Sequence, residues 1–273
     1  MIETNGPILL VGCGKMGDAL LKGWLGRGIA PTDIVVVEPG QAAGGAASEK
    51  GVRVVAELDD LGDAVAPRMV IFAVKPQVMA SVVPAYRRYV GQRAAFLSIA
   101  AGKTVAFFAE RLGSDASIIR AMPNTPAAIG RGISVLCANA VATSADRALA
   151  EDLLSAAGAV AWIQDESLMD AVTAVSGSGP AYVFYLIECL AEAGVIAGLP
   201  TRLAEQLARV TVEGAAALSH EDDSSPTTLR ENVASPGGTT EAALNVLMGE
   251  DGLQRLMTRA VAAAANRSRE LAD

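Results

Sequence analysis

Apolar and polar positions follow two different rhythms along this chain. Up to about residue 164, short apolar runs alternate with stretches of helical period. The runs at 8–11, 34–38, 52–55, 69–74, 95–99 and 117–121 are too short for helices and read as buried strands, rich in Val, Ile and Leu. Between them, Lys15 to Arg27 places Met16, Leu20, Leu21 and Trp24 on one face, and 78–88 and 104–112 have a similar period. Segments 133–138 and 160–163, with a helix over 144–157 between them, extend the same sheet. Strand–helix alternation of this kind predicts right-handed crossovers and a doubly wound parallel sheet covered on both faces.

From about Asp165 the strand signal stops. Helical patterns follow over 166–175, 180–197, 201–219, 239–248 and 253–271, with 220–225 as a solvated loop. Pro180, Pro200 and Pro226 lie near helix starts, where a missing N–H is tolerated. The stretch 180–197 is apolar nearly all round, so every side of it needs cover. A small helical domain cannot supply that alone, so two chains are expected to pack their helical domains together. The predicted class is α/β, with a dinucleotide-binding domain over 1–164 and an all-α domain over 165–273 for dimerisation and substrate.

Composition narrows the function. A net charge of −8 and a pI near 4.8 argue against nucleic-acid and anionic-membrane partners. Glu188 and Glu192 interrupt the greasiest segment, which reads as a buried helix rather than a membrane span. Cys13, Cys137 and Cys189 are far apart in apolar settings and read as core residues in a reducing cytoplasm. With one histidine and no C-x-x-C, no metal site is expected.

The chemistry concentrates at a few turns. The first strand runs into Gly12-Cys13-Gly14-Lys15-Met16-Gly17, a G-x-G-x-x-G opening a helix. In a dinucleotide site Gly12 allows the tight turn, Gly14 lets the backbone approach the pyrophosphate, and Gly17 lets helix and strand pack closely. The free N–H groups and dipole of the helix start attract the anion. Glu38 ends the second strand; a carboxylate there accepts both ribose hydroxyls of NAD and repels a 2′-phosphate. Neither Pro39, Gly40 nor Gln41 supplies an arginine, so these residues favour NAD(H) over NADP(H). Lys75-Pro76 ends the fourth strand, where Lys75 either meets cofactor phosphate or amide or only caps the surface. Met122-Pro123-Asn124-Thr125-Pro126 makes a rigid polar loop that either suits nicotinamide and substrate or is a structural corner. The 176–180 segment, Ser-Gly-Ser-Gly-Pro, reads either as an anion-facing helix start or as an interdomain hinge. At 235–241, Ser-Pro-Gly-Gly-Thr-Thr-Glu opens a helix that Thr239 or Thr240 can cap, with exposed N–H groups for a carboxylate. No Ser-His-Asp set, metal cluster or evident general acid is present. Hydride addition to an already protonated imine needs little proton transfer from the protein and fits this inventory.

Taken together, these stretches resemble pyrroline-5-carboxylate reductase over nearly the whole chain. The resemblance rests on the glycine turn, Val74-Lys75-Pro76, Ala100-Ala101-Gly102, residues 122–126, residues 176–180 and the signature region 235–240. It implies a Rossmann-type N-terminal domain, a helical dimerisation domain, and reduction of 1-pyrroline-5-carboxylate to L-proline by NADPH or NADH. It implies cofactor contact by Gly12, Cys13, Gly14, Lys15, Met16, Gly17, Glu38, Ala73, Val74, Lys75, Pro76, Ala100, Ala101, Asn124 and Thr125. Substrate contact falls to Ser178, Ser235, Gly237, Gly238, Thr239 and Thr240, with the Thr240 hydroxyl addressing the ring nitrogen as the catalytic group. In the family the site is completed at a homodimer interface, and dimers assemble further, often to decamers. Many members use NADPH and carry a small polar residue plus a basic one where this chain has Glu38-Pro39, so the cofactor choice stays open between the two. Alternative readings are a β-hydroxyacid-dehydrogenase-like oxidoreductase and a non-catalytic NAD(H)-binding sensor. The first expects a lysine on the long helix, and 181–197 has none.

Overall fold

A computed structural model describes residues 4–62 and 65–271. Among these, the strands are β1 (Ile8–Val11), β2 (Ile34–Val37), β3 (Arg53–Val55), β4 (Met69–Phe72), β5 (Ala95–Ser98), β6 (Ser117–Met122), β7 (Gly132–Ala138) and β8 (Gly158–Trp162). They form one sheet in the order β3-β2-β1-β4-β5-β6-β7-β8. All neighbours are parallel except β6 and β7, which run antiparallel. The expected doubly wound parallel sheet is present, and only at this pair does the direction reverse. Residues 123–131 carry one short 3₁₀ turn and no crossover helix, and a parallel return needs a longer connection.

Side chains alternate between two cores. Ile8 and Leu10 face one with Leu20, Leu21 and Trp24 of α1 (Lys15–Gly26), Ala47 of α2 (Gln41–Ser48) and Leu149 and Leu153 of the later α5 (Ser144–Ser155). Leu9 and Val11 face the other with Met79 of α3 (Met79–Val82) and Phe108 and Leu112 of α4 (Val105–Leu112). All residues of β1, β2, β4 and β5 are buried, as strands covered on both faces must be. The helix expected over 78–88 shrinks to the single turn α3 followed by a 3₁₀ segment, Val83–Tyr89. Pro84 has no N–H to continue the α ladder. Across the sheet's amino end, Arg68 pairs with the buried Asp146 at 2.7 Å. Burial pushes the Asp146 carboxyl up, but hydrogen bonds from Thr143, Ser117 and Arg68 outweigh it and hold the group below its ordinary value.

The helical half holds α6 (Met169–Val172), α7 (Gly179–Ile196), α8 (Thr201–Glu221), α9 (Pro226–Val233), α10 (Thr239–Leu247) and α11 (Leu253–Glu270). Two compact units result. The first runs to Gly177 and is rejoined by the chain from Ala264; the second is Ser178–Ala263. The division expected at 164/165 lies one helical segment earlier. The intervening residues are tied to the first unit by Glu166, which pairs with Arg120 at 2.8 Å, and by Asp170, which accepts the Ser268 hydroxyl at 2.6 Å. In the second unit α8 continues through His220 to Glu221, so the expected loop shrinks to 222–225. Gly194 lets α7 approach Ala204 of α8 closely. On its other sides α7 is bare: none of its residues is buried, and Phe184, Tyr185 and Ile196 are 58%, 66% and 81% exposed. Within one chain the expected burial of this helix does not occur, and Cys189, expected in the core, is exposed with it. The helical stretch 166–196 is long and apolar enough to cross a membrane by length and composition.

Candidate active site

The carboxyl ends of β1, β4, β5 and β6 lie side by side and bring four predicted segments of the first unit to one edge. At the end of β1 the three glycines do three different things. Gly12 has φ +89°, and a Cβ there would lie 2.6 Å from Val74 Cγ1. A Cβ on Gly17 would lie 2.6 Å from the Gly12 carbonyl oxygen, so only glycine lets α1 start this close to the strand. A Cβ on Gly14 would meet nothing within 4 Å. Gly14 is the N-cap of α1 with no side-chain cap, so the first amides of the helix face open space. The side chain of Lys15 is exposed and Met16 packs on the first core.

Glu38, directly after β2, bends over this turn. Its Oε2 accepts the Cys13 N–H at 2.7 Å and its Oε1 accepts the Gly40 N–H at 2.8 Å. The neighbouring Cys13 thiol is pushed up to about 11, chiefly by burial and then by the Asp18 and Glu38 carboxylates, and stays neutral at physiological pH. At the end of β4, Ala73 donates its N–H to Val11 at 2.8 Å, which holds 73–76 beside the glycine turn. Lys75 is exposed and extended ahead of Pro76, and its ammonium has no partner among the described residues. After β5, the Ser98 hydroxyl accepts the Ala100 N–H at 3.2 Å. Gly102 follows with φ +72°, and the backbone of Leu271 packs against it.

The loop after β6 is more tightly built than its sequence suggests. Asn124 donates from Nδ2 to the Ser176 carbonyl at 3.1 Å and accepts the Ile133 N–H at Oδ1 at 3.0 Å. Its carboxamide is thereby occupied, and Thr125 is exposed beside it. Segment 176–180 holds the expected helix start, with Ser178 as the N-cap of α7, but Thr173–Gly177 ahead of it forms a widened π-helical turn that leads into that helix. The Ser176 hydroxyl bonds back to the Val172 carbonyl at 3.0 Å, while Gly177 leaves room for Met122 Cε. Ser178 lies in helical conformation. Turns of this kind occur often at functional sites, because the extra residue shifts the side chains that follow.

In the second unit, Gly237 (φ +72°) and Gly238 lead into α10. The expected threonine cap is corrected: Gly238 is the N-cap, no side chain caps, and Thr239 and Thr240 are the first two helical residues. Gly238 donates its N–H to Ser235 at 2.9 Å. The Thr239 and Thr240 amides therefore lack intrahelical acceptors, and the Thr240 hydroxyl has no partner among the described residues. Glu241 reaches back to accept the Gly237 N–H at 2.7 Å. The sequence reading missed that contact, although a glutamate at the third helical position is its usual signal. It also missed the Arg120–Glu166 pair. Arg120 is only 4% exposed, and Glu166 Oε1 also accepts the Val105 N–H at 2.8 Å, which ties the start of α4 to β6. Charged residues so distant in sequence give no local sign of pairing.

Known proteins match this arrangement over its full length. Residues 166–271 match the family model for pyrroline-5-carboxylate reductase dimerisation, and residues 7–102 match that described as NADP oxidoreductase, coenzyme F420-dependent. A pyrroline-5-carboxylate reductase of Pisum sativum is 39% identical over 262 residues, covering 96% of this chain and 94% of its own. A pyrroline-5-carboxylate reductase structure from Coxiella burnetii superposes with a TM-score of 0.92 at 34% identity, covering 98% of this chain and 99% of that one. A pyrroline carboxylate reductase of Plasmodium falciparum, solved with NADP bound, gives 0.83 at 29% identity, with 99% of each chain covered.

Proposed function

The chain belongs to the pyrroline-5-carboxylate reductase family, and on that premise we propose how its residues carry out the reaction. It reduces the C=N bond of 1-pyrroline-5-carboxylate to give L-proline, the last step of proline biosynthesis, as a homo-oligomer dependent on a nicotinamide cofactor. The observation that carries the cofactor site is the open space at Gly14. The other two glycines of the turn are forced by packing, whereas Gly14 is required by nothing inside the chain. A pyrophosphate there would accept the unpaired amides at the start of α1, with the helix dipole favouring its charge. Lys75 offers a free ammonium, Ala100 and Ala101 line the edge beside it, and Thr125 with the 122–125 backbone forms the floor for the nicotinamide.

When bound, the reduced nicotinamide supplies a hydride to the imine carbon. The protein's task is to hold the substrate. The Thr239 and Thr240 amides at the start of α10 bind its carboxylate, with Ser235, Gly237 and Gly238 shaping the turn and Ser178 nearby. The Thr240 hydroxyl oxygen accepts the N–H of the protonated ring nitrogen and fixes which face receives the hydride. The substrate nitrogen arrives protonated and leaves as an amine, so no protein acid is needed. The bare faces of α7 are covered by a second copy of the chain, and the site is completed across that dimer; further assembly to a decamer follows the family. This reading puts the enzyme in the cytoplasm, a setting that suits its free thiols.

Glu38 makes NADH the preferred donor. Its carboxylate already holds the Cys13 and Gly40 amides, so it is fixed where an adenosine ribose would sit, and a 2′-phosphate would meet its charge. Steady-state rates with 1-pyrroline-5-carboxylate and each nucleotide test both points. Turnover with a higher kcat/KM for NADH is expected, and Glu38→Ser should move the NADH:NADPH ratio by about tenfold toward NADPH. Nucleotide binding without turnover would leave only a sensor, and an unmoved ratio would remove Glu38 from cofactor choice.

A further inference from the structure

We propose that Asn124 is a positioning residue whose carboxamide ties the nicotinamide floor after β6 to the widened turn Thr173–Gly177. The inference rests on the proposed placement of the nicotinamide at 122–125.

A helical carbonyl normally accepts the N–H four residues on. For Ser176 that residue is Pro180, which has no N–H. The next amide, at Ala181, bonds to Ser178 at 3.0 Å instead. The Ser176 carbonyl is thus left without a helical donor, and Asn124 Nδ2 supplies one from a strand end 52 positions away. The orientation of the amide is fixed by its partners: Ser176 offers only an acceptor and Ile133 only a donor. Because Ile133 lies in β7, one side chain fixes its own loop to the widened turn and to the neighbouring strand. Two further contacts bracket it. Met122 packs against Gly177, and Arg120 pairs with Glu166 at the head of the same helical stretch. Residues 120, 122 and 124 project to the same side of one strand and its extended continuation, so three successive same-side positions grip 166–177. Asn124 is the one whose loss frees the loop itself, and a misplacement of about 1 Å costs on the order of 10²-fold in rate.

The test is a set of variants in the full-length enzyme, assayed with 1-pyrroline-5-carboxylate and reduced nucleotide. Asn124→Ala removes both hydrogen bonds. Asn124→Asp keeps an acceptor for Ile133 but loses the donor for Ser176. Each should lower kcat by about 10- to 100-fold, leave the nucleotide KM within about threefold, and enlarge the isotope effect with 4-deuterated nucleotide. Pro180→Ala restores an N–H four residues after Ser176. Alone it should be nearly silent; combined with Asn124→Ala it should recover several-fold of the lost kcat. A purely structural role would lower the melting temperature without that recovery. Unchanged kcat in both Asn124 variants, or an equal loss with and without Pro180→Ala, overturns the proposal. If Asn124→Ala does not fold, the Asp variant decides by the same criteria. Failure of the wild-type enzyme to turn over this substrate would instead count against the functional reading.

Discussion

The two compact units differ in what they leave exposed. In the sheet unit, four central strands are wholly buried by helices of the same chain, and of the three glycines in the turn after β1 only Gly14 faces open space. In the helical unit, the most apolar helix has no buried residue at all. Apolar area is stabilising only when removed from water, at about 25 cal/mol per Å². The first unit therefore completes its core alone, while the second leaves its most apolar helix uncovered within the chain. On the proposed reading, nucleotide binding falls to the first unit and substrate binding to the second.

The largest expected effect comes from attacking that uncovered helix. Phe184→Asp places a charge on the bare face of α7, and an unpaired buried charge costs several kcal/mol, so association should weaken by at least about 10²-fold. Sedimentation velocity should find smaller species that still bind NADH; an intact oligomer would break the comparison. Gly14→Val probes the other unit. Its Cβ meets nothing, so the melting temperature should stay within a few degrees while the nucleotide KM rises by about 10²-fold. Gly17→Ala should do the reverse, lowering thermal stability first, because its Cβ collides with the Gly12 carbonyl. Thr240→Ala removes one hydrogen bond to a charged partner, worth about 1.5–3 kcal/mol, and should lower kcat/KM by about ten- to several-hundred-fold. Unchanged kinetics would take Thr240 out of the mechanism.

The smallest effect sharpens the claim that the sheet unit is self-sufficient. Asp146 has its pKa depressed by its partners, so it stabilises the fold above the ordinary value of 3.8, and the contribution is lost as pH falls through the depressed value. Asp146→Asn should lower the melting temperature at neutral pH by a few degrees, and the gap to wild type should close in acid. A constant gap across pH would show that the carboxylate's charge is not what matters.

The sequence made the sheet unit far more legible than the helical one. Continuous apolar runs mark β1, β2, β4 and β5 because parallel strands are buried on both faces, and the glycine spacing marks the turn because each glycine meets a separate steric or ligand demand. The reversal at β7 was missed because composition does not report direction; only the short connection 123–131 does. The 78–88 helix failed at Pro84, and the widened turn before α7 was not foreseen because serine, glycine and proline at 176–180 do not distinguish a hinge from a π-helical turn. Thr239 and Thr240 passed for caps, although Gly238 holds that position. The partners of Asn124, Arg120 and Glu38 lie on other elements, which no local pattern encodes. For α7 the all-round apolar pattern demanded cover from a second chain, and within one chain the helix is left without a buried residue.

Mixed oligomers put the central claim to its most direct trial. Gly14→Val and Thr240→Ala chains, each nearly inactive alone, are co-expressed with different tags and the heterodimer is purified. If the helical unit of one copy completes the site of the other, each heterodimer holds one site with both Gly14 and Thr240 intact, and activity should return to about half that of wild type. Activity no higher than that of the two parents would mean that each chain builds its site alone, and would contradict the account.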